Sequence, residues 1–156
     1  MITDIRIRDL TVRYGDTVAV DTLDLDLAPG KIYGLLGRNG SGKTSLLSVL
    51  AGYRRASSGT VTVGGADPFE NADVMRQTCF IRDTLDVAET DRVAGSLDFA
   101  AALRPTFDRE YAGKLLDTFE LDPRKRVSAL SRGQRSSLGA VHGLAARTSL
   151  TILDEV

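Results

Sequence analysis

A glycine-rich octapeptide, GRNGSGKT, occupies residues 37–44 of the 156-residue chain. It fits the pattern G-x-x-x-x-G-K-[ST], in which glycines let backbone N–H groups point inward at phosphate oxygens, in conformations that a Cβ would obstruct. In this pattern Lys43 reaches the β and γ phosphates of a nucleotide, and the Thr44 hydroxyl ligates Mg²⁺. The alternative is a glycine-rich turn that contains a lysine by chance. The pattern predicts a phosphate site built from Gly37, Asn39, Gly40, Ser41, Gly42, Lys43, Thr44 and Ser45.

An acidic pair, Asp154 and Glu155, follows an apolar run at residues 150–153. The run predicts a buried strand, and open α/β sheets bind their ligands at the carboxyl ends of the strands. We therefore expect the pair near the phosphate loop, with Asp154 in the Mg²⁺ shell and Glu155 polarising an attacking water. Glu155 and Lys43 are the predicted catalytic residues. The alternative is a core strand that simply ends in two solvated acids.

The segments on both sides of the octapeptide have the character that a phosphate loop requires. Residues 32–36 are continuously apolar, which predicts a strand buried on both faces. After the loop, Leu46, Leu47 and Leu50 have helical spacing, and Gly52 is a suitable residue just past the helix end. The start of this helix would add the positive end of its dipole to the anion site.

The remaining pattern predicts an α/β fold. Apolar residues alternate along the first thirty positions, which indicates half-buried strands, and short strands are expected at 61–63 and 79–81. Between residues 90 and 121 apolar positions recur every three or four residues on both sides of Pro105, which predicts two amphipathic helices. A third helix is predicted over about residues 132–147.

Composition limits the classes of function. The chain is 42% hydrophobic and 26% charged, which favours one folded domain. Its 20 Lys and Arg residues are scattered among 21 acidic residues, so a nucleic-acid surface is not expected, and Arg54 and Arg55 are interpreted as solvated charges. Cys79 is the only cysteine, which fits a reducing, cytoplasmic setting. No apolar run approaches the ~20 residues of a membrane-spanning helix, so other chains would supply any such part.

The sequence LSRGQ, at residues 130–134, differs by one residue from the LSGGQ signature of ABC ATPases. Tyr14, the phosphate loop, a helical insert, this signature and the acidic pair stand in the order found in that family, and together they cover essentially the whole chain. The chain thus resembles the ATP-binding proteins of ABC transporters. The resemblance implies an α/β phosphate-loop NTPase fold of the ABC ATPase type, with an N-terminal antiparallel β subdomain and a helical insert, and with the C-terminal part of the core missing.

The resemblance also assigns residues outside the loop. Tyr14 would stack on adenine, although a surface tyrosine on a strand is the alternative. Ser131, Gly133 and Gln134 would contact the γ phosphate bound by a second copy, because the family closes two ATP sites between domains arranged head to tail. The alternative for this segment is an ordinary helix start capped by a serine.

One position departs from the pattern of the family, and one histidine does not correspond to a residue of that pattern. Asp83 stands where the family usually has a glutamine that touches Mg²⁺, and Gln77, which precedes the strand, is a poor substitute; a carboxylate is still a suitable Mg²⁺ ligand. The family senses the γ phosphate with a histidine that comes after the acidic pair. His142 falls on the signature helix instead, so we expect it to be a packed or surface histidine.

The resemblance divides the chain into residues 1–89, a β subdomain with the phosphate-loop core; 90–130, a helical insert; and 131–156, the signature helix and acidic strand. In the family these regions form one domain that continues past the acidic pair, with a strand that inserts beside the phosphate-loop strand. We therefore expect residues 1–156 to be one incomplete ATP-binding domain of a longer product, and the segment alone to be inactive as an ATPase.

The function implied by the resemblance is that of the Mg-ATP-hydrolysing subunit of an ABC transporter. It would work as a head-to-tail dimer of ATP-binding domains at the inner face of the cell membrane, on separate transmembrane subunits and without nucleic acid. One alternative is a truncated nucleotide-binding or regulatory module without turnover. The other is a soluble ABC ATPase that acts on ribosomes or DNA.

Overall fold

The computed structural model of the chain describes residues 4–82 and 87–155. The chain divides into two compact units, Met1–Thr78 and Cys79–Val156. The chain contains both strands and helices, which confirms the predicted α/β class. The sheet of the first unit is antiparallel, as expected for the N-terminal part.

The first unit is built on the sheet β2-β1-β3. The predicted N-terminal strands are β1 (Ile5–Tyr14) and β2 (Thr17–Leu27), which form a hairpin, and β3 (Ser58–Val63) pairs with the other edge of β1. In β1, Ile5 and Ile7 are buried at alternate positions, and after a shift in register Leu10, Thr11 and Val12 are buried in succession. Where apolar and polar residues alternate along β1, the apolar side chains face the core and the polar side chains face away from it.

Helix α1 (Lys43–Leu50) follows the octapeptide directly and confirms the predicted helix. It ends in a Schellman motif: the Tyr53 N–H donates to the Ser48 carbonyl at 2.9 Å, and the Gly52 N–H donates to the Val49 carbonyl at 3.0 Å. Gly52 lies at φ +77°, and a Cβ there would be 2.4 Å from the Pro68 carbonyl oxygen, so this position requires glycine. A short helix, α2 (Ala72–Arg76), begins at Asn71, whose side chain accepts from two backbone N–H groups.

The predicted buried strand at residues 32–36 is wrong in this structure. Residues 31–38 have no regular secondary structure, and Ile32 and Leu36 are 103% and 95% exposed. A strand buried on both faces needs hydrogen-bonded neighbours and covering layers. Among the described residues of the first unit the sheet is β2-β1-β3, and it does not include this segment.

The second unit contains the predicted helices and two short strands. Helices α3 (Val93–Leu103) and α4 (Arg109–Thr118) confirm the helical pattern on both sides of Pro105, and α5 (Arg132–Ala145) confirms the third predicted helix. Strands β4 (Thr78–Ile81) and β5 (Leu150–Leu153) form a two-stranded sheet. One core joins the three helices: Val93, Leu97, Ala112, Leu115, Leu116, Leu121, Val127, Leu130, Leu138, Val141 and Ala145.

Helix α5 packs closely on the β4–β5 sheet through Gly143. A Cβ at this position would lie 3.0 Å from Leu153 Cδ2 and 3.1 Å from Ile81 Cγ1. A side chain at this position would therefore crowd Leu153 and Ile81, which would have to shift by a few tenths of an ångström. The predicted burial of β5 holds only in part, since Ile152 is buried and Leu153 is 40% exposed.

His142 is a packed histidine, as expected. Its Nε2 lies 3.1 Å from the Ser96 hydroxyl, which itself donates to the Val93 carbonyl at 2.8 Å. Because the hydroxyl has only one proton to donate, Nε2 must carry the ring proton and donate to Ser96. The Phe107 ring packs beside the imidazole, and burial lowers the pKa of His142 to about 4.

This neutral histidine predicts a loss of stability as the pH falls. The unfolded chain binds a proton at His142 near the ordinary pKa of about 6.5, whereas the folded chain does so only near its lowered pKa. The free energy of unfolding should therefore drop by about 1.5 kcal/mol from this residue between pH 6.5 and pH 5. Urea unfolding at both pH values measures the drop. The His142→Gln variant can still donate to Ser96 but has no imidazole, so it should not show this loss of unfolding free energy. A pH dependence equal to that of the parent chain would contradict the interpretation.

Candidate functional site

Gly42 is the most constrained residue of the octapeptide. It is the N-cap of α1 and has φ +86°, a left-handed conformation that side chains disfavour. A Cβ at this position would lie 2.0 Å from the carbonyl oxygen of Ala19 in β2 and 3.3 Å from Val20 Cγ2. The end of the loop is therefore pressed against the backbone of the antiparallel sheet, and only glycine fits there.

The rest of the loop is a tight turn. Gly40 also has a left-handed backbone, at φ +81°, but a Cβ there would meet no atom of the described residues within 4 Å. The Ser41 N–H donates to the Arg38 carbonyl at 3.1 Å, and a Cβ on Gly37 would be 2.6 Å from the Ser41 hydroxyl. Gly40 therefore needs glycine for its backbone conformation alone, whereas Gly42 needs it for both its backbone conformation and its close contact with β2.

Lys43 is the first residue of α1, and its side chain reaches back across the loop. Its ammonium donates to the Gly37 carbonyl at 2.8 Å and to the Arg38 carbonyl at 3.1 Å. The first helical hydrogen bond runs from the Leu46 N–H to the Gly42 carbonyl, at 2.9 Å. In the described part of the chain α1 has no side-chain N-cap and no acidic residue in its first turn, so the N–H groups of residues 43–45 and the helix dipole suit an anion. The site therefore fits a phosphate group.

The structure brings Tyr14 to the same helix start. The Tyr14 hydroxyl lies 3.2 Å from the Ser45 hydroxyl, so the ring is fixed beside the first turn of α1. The tyrosine is 47% exposed, although it belongs to β1. An aromatic ring thus stands next to the phosphate-binding loop, where it can offer a face to a planar group.

Arg54 is a residue whose position sequence reasoning missed. Its guanidinium carbon lies 3.7 Å from the centroid of the Tyr14 ring, and its Nη2 donates to the Arg13 carbonyl at 2.7 Å. The interpretation of Arg54 as a solvated charge is therefore wrong. Arg55 is also interpreted from the sequence as a solvated charge, and its guanidinium carbon lies 5.1 Å from the centroid of the Phe69 ring. Neither contact could be predicted from sequence periodicity, because each joins residues far apart in the sequence.

In the second unit, Ser131 caps α5. Its hydroxyl accepts from the Gln134 N–H at 3.2 Å, and the Gln134 Oε1 accepts from the Ser131 N–H at 3.1 Å, which completes a capping box. Lys125 also donates to the Gln134 Oε1, at 3.1 Å. Gly133 is exposed, and within the part of the chain that the structure describes a Cβ there would meet no atom within 4 Å. The serine-capped helix start is thus present, and it leaves the first N–H groups of α5 at the surface.

The acidic pair follows β5 as expected. Asp154 is 6% exposed, and its N–H donates to the Ile81 carbonyl at 2.9 Å, whereas Glu155 is exposed at φ +56°. Asp154 and Thr44 belong to different units, and Asp83 lies outside the described residues. Residues 4–82 and 87–155 contain no cluster of three or more His, Cys, Asp or Glu that could hold a metal ion.

The geometry at Gly42 predicts a difference between two glycine substitutions. Gly40→Ala places a Cβ on a left-handed residue in open space, so it should cost about 1 to 2 kcal/mol of unfolding free energy. Gly42→Ala adds the clash with the Ala19 carbonyl and should cost more than about 3 kcal/mol. Urea unfolding of both variants measures this difference. Equal costs would contradict the claim that β2 confines the loop.

Comparisons with known proteins identify the family of the chain. The model of the family described as ABC transporter matches residues 20–156. The ABC transporter ATP-binding protein YtrB of Bacillus subtilis (strain 168) is 30% identical over 151 residues, which are 97% of this chain and 52% of YtrB. The energy-dependent translational throttle protein EttA of Escherichia coli O6:H1 (strain CFT073) is 30% identical over 155 residues, which are 97% of this chain and 26% of EttA.

The fold has a solved counterpart. The structure of an ATP-binding subunit of an ABC transporter matches with a TM-score of 0.84 at 21% identity, over 98% of this chain and 66% of that one. The chain spans about half the length of YtrB and about a quarter of the length of EttA. The family match begins within β2 and includes the phosphate loop, the LSRGQ segment and the acidic pair. The chain therefore belongs to the ABC transporter family of ATP-binding proteins.

Proposed function

We propose that this chain is the Mg-ATP-binding and ATP-hydrolysing part of an ABC transporter. The observation that carries the proposal is the loop at residues 37–44, in which Gly42 is confined by β2 and Lys43 lies over an uncapped helix start. Such a start presents N–H groups and a positive dipole end to an anion. Family membership supports a nucleoside triphosphate as that anion.

The nucleotide would be held at two places in the first unit. Backbone N–H groups of the loop would surround the phosphates, and the Lys43 ammonium would exchange its two carbonyl partners for β and γ phosphate oxygens. Asn39, Gly40 and Ser41 belong to this turn, and Thr44 and Ser45 follow it on the first turn of α1. The Tyr14 ring, fixed through the Ser45 hydroxyl, would stack on adenine.

Hydrolysis requires a metal ion and a positioned water. A bound Mg²⁺ would neutralise charge on the phosphates, and its proposed protein ligands are Thr44, Asp154 and Asp83. The hydroxyl and carboxylate oxygens of these side chains are the kind of donor that Mg²⁺ prefers. Glu155, exposed at the carboxyl end of β5, would accept a proton from the attacking water. The oxygen of that water would bond to the γ phosphorus as the bond to the β–γ bridging oxygen breaks, releasing ADP and phosphate.

The second unit would act on the ATP of a second copy. Because the Ser131 hydroxyl accepts from the Gln134 N–H, its own proton is free to be donated to a phosphate oxygen. Gly133 and the first N–H groups of α5 lie at the surface beside it, and the capping box keeps Gln134 at the same helix start. A head-to-tail dimer of ATP-binding domains would bring this helix start to the phosphates of its partner.

The proposed partners are separate transmembrane subunits on the cytoplasmic side of a membrane. Among the described residues there is no helix that is both long and apolar enough to span a bilayer. We propose that residues 1–89 form the β subdomain and phosphate-loop core that bind the nucleotide. Residues 90–130 would form a helical insert, and residues 131–156 the signature helix and the acidic strand. Nucleic acid is not a proposed partner, because the net charge is −1 and basic residues are dispersed.

The match to EttA favours a second candidate, a soluble ABC ATPase that acts in translation. The identity to EttA is the same as that to YtrB, 30%. A tagged chain purified from its host distinguishes the candidates, because a transporter component is recovered with membrane proteins and a translation factor with ribosomes. A nucleotide-binding module without turnover would bind ATP in either setting and release no phosphate.

The proposal predicts that Lys43→Ala sharply weakens ATP binding. Loss of a charge-assisted contact to the β and γ phosphates should lower the affinity of the chain at least about tenfold. Calorimetric titration with Mg-ATP measures this change. Lys114→Ala removes the same charge from an exposed position on α4, where Lys114 contacts Glu110, and should leave the affinity unchanged. Equal affinities of Lys43→Ala and the parent chain would refute the proposed phosphate site.

A further inference from the structure

The side chain of Arg54 covers one side of the Tyr14 ring. Its guanidinium carbon lies 3.7 Å from the ring centroid, a distance at which a cation is attracted by the negative face of the ring. Within the described residues, Arg54 Nε is buried and has no hydrogen-bond partner. Leaving a buried donor unsatisfied is unfavourable, so the position over the ring must be held by other contacts.

Two features of the first unit hold the guanidinium in place. The Schellman motif at Gly52 turns the chain back after α1 and sets the direction of residues 53–55. The Arg54 Nη2 then donates to the carbonyl of Arg13, the residue before Tyr14 in β1. The arginine is therefore anchored to the same strand that carries the ring, so the ring and the guanidinium keep a fixed relation.

The Tyr14 ring is thus held at three points, and only part of it is accessible. The hydroxyl contacts Ser45, the backbone belongs to the β1–β2 hairpin through the Tyr14–Thr17 pair, and one face is covered by Arg54. The tyrosine is nevertheless 47% exposed. The face away from Arg54 is the one left for a planar ligand group.

We infer that Arg54 is a positioning residue for the base of the bound nucleotide, acting through Tyr14. By fixing the ring and covering one of its faces, Arg54 leaves a single, prearranged face for the base to stack on. This inference rests on the proposed function, since it needs a nucleotide in the phosphate loop. Arg54 does not itself touch the phosphates in this account, so its effect should be confined to ligands that carry a base.

Two ligands, Mg-ATP and inorganic tripolyphosphate, which has no base, distinguish an effect of Arg54 on the base from an effect on phosphate binding. In the 156-residue chain, Arg54→Ala should weaken Mg-ATP binding about three- to tenfold, the size of a cation–π contact, and leave tripolyphosphate binding unchanged. Arg55→Ala is the matched control, because it removes an equal charge from the neighbouring residue, whose guanidinium lies near Phe69. It should change neither affinity. In a Tyr14→Ala background, Arg54→Ala should have no further effect on Mg-ATP.

Each other result overturns the inference. Equal losses for Mg-ATP and tripolyphosphate would mean that Arg54 acts on the loop or its charge, and no loss for Mg-ATP would mean that the ring needs no support. A full loss in the Tyr14→Ala background would show that Arg54 acts without the ring. In all three cases tripolyphosphate binding that depends on Lys43 would leave the proposed function standing. Absence of binding of both ligands by the parent chain would remove the proposed function together with this inference.

Discussion

The contact between Gly42 and the carbonyl of Ala19 is the constraint on which the candidate site depends. It ties the last residue of the loop to β2 and so sets where α1 begins. Because a Cβ would lie 2.0 Å from that oxygen, the loop approaches the sheet more closely than any other residue type allows. The position of the Lys43 ammonium, the direction of the helix dipole and the contact between Tyr14 and Ser45 all follow from this start point.

Local patterns in the sequence predicted most of the elements. The strands of the hairpin, the helix after the loop, its end at Gly52 and the three helices of the second unit all follow from short-range periodicity and capping, and they are confirmed. Residues 32–36 show where this reasoning fails. Their apolar run is a valid strand pattern, but strand formation depends on neighbours that a local pattern does not contain, and these residues lie outside both sheets.

The candidate site was predictable to a similar extent. The loop glycines could be assigned from their spacing, and the structure supplies a separate physical reason for Gly40 and for Gly42. Ser131 could be expected to cap a helix, and it does so in a capping box. Arg54 could not be predicted, because its contact with Tyr14 joins residues 40 positions apart through a turn and a backbone carbonyl. The roles of Asp154 and Glu155 remain predictions, as does that of Asp83.

The most direct test of the account is whether phosphate binds to the backbone at the start of α1. A ¹H–¹⁵N spectrum of the chain, titrated with Mg-ATP, inorganic tripolyphosphate and adenosine in turn, reports on each amide separately. The account predicts that the amide signals of Gly42, Lys43, Thr44 and Ser45 shift with Mg-ATP and with tripolyphosphate, and stay in place with adenosine. The account would be contradicted if these four amides did not respond to either phosphate ligand, or if adenosine shifted them as far as Mg-ATP.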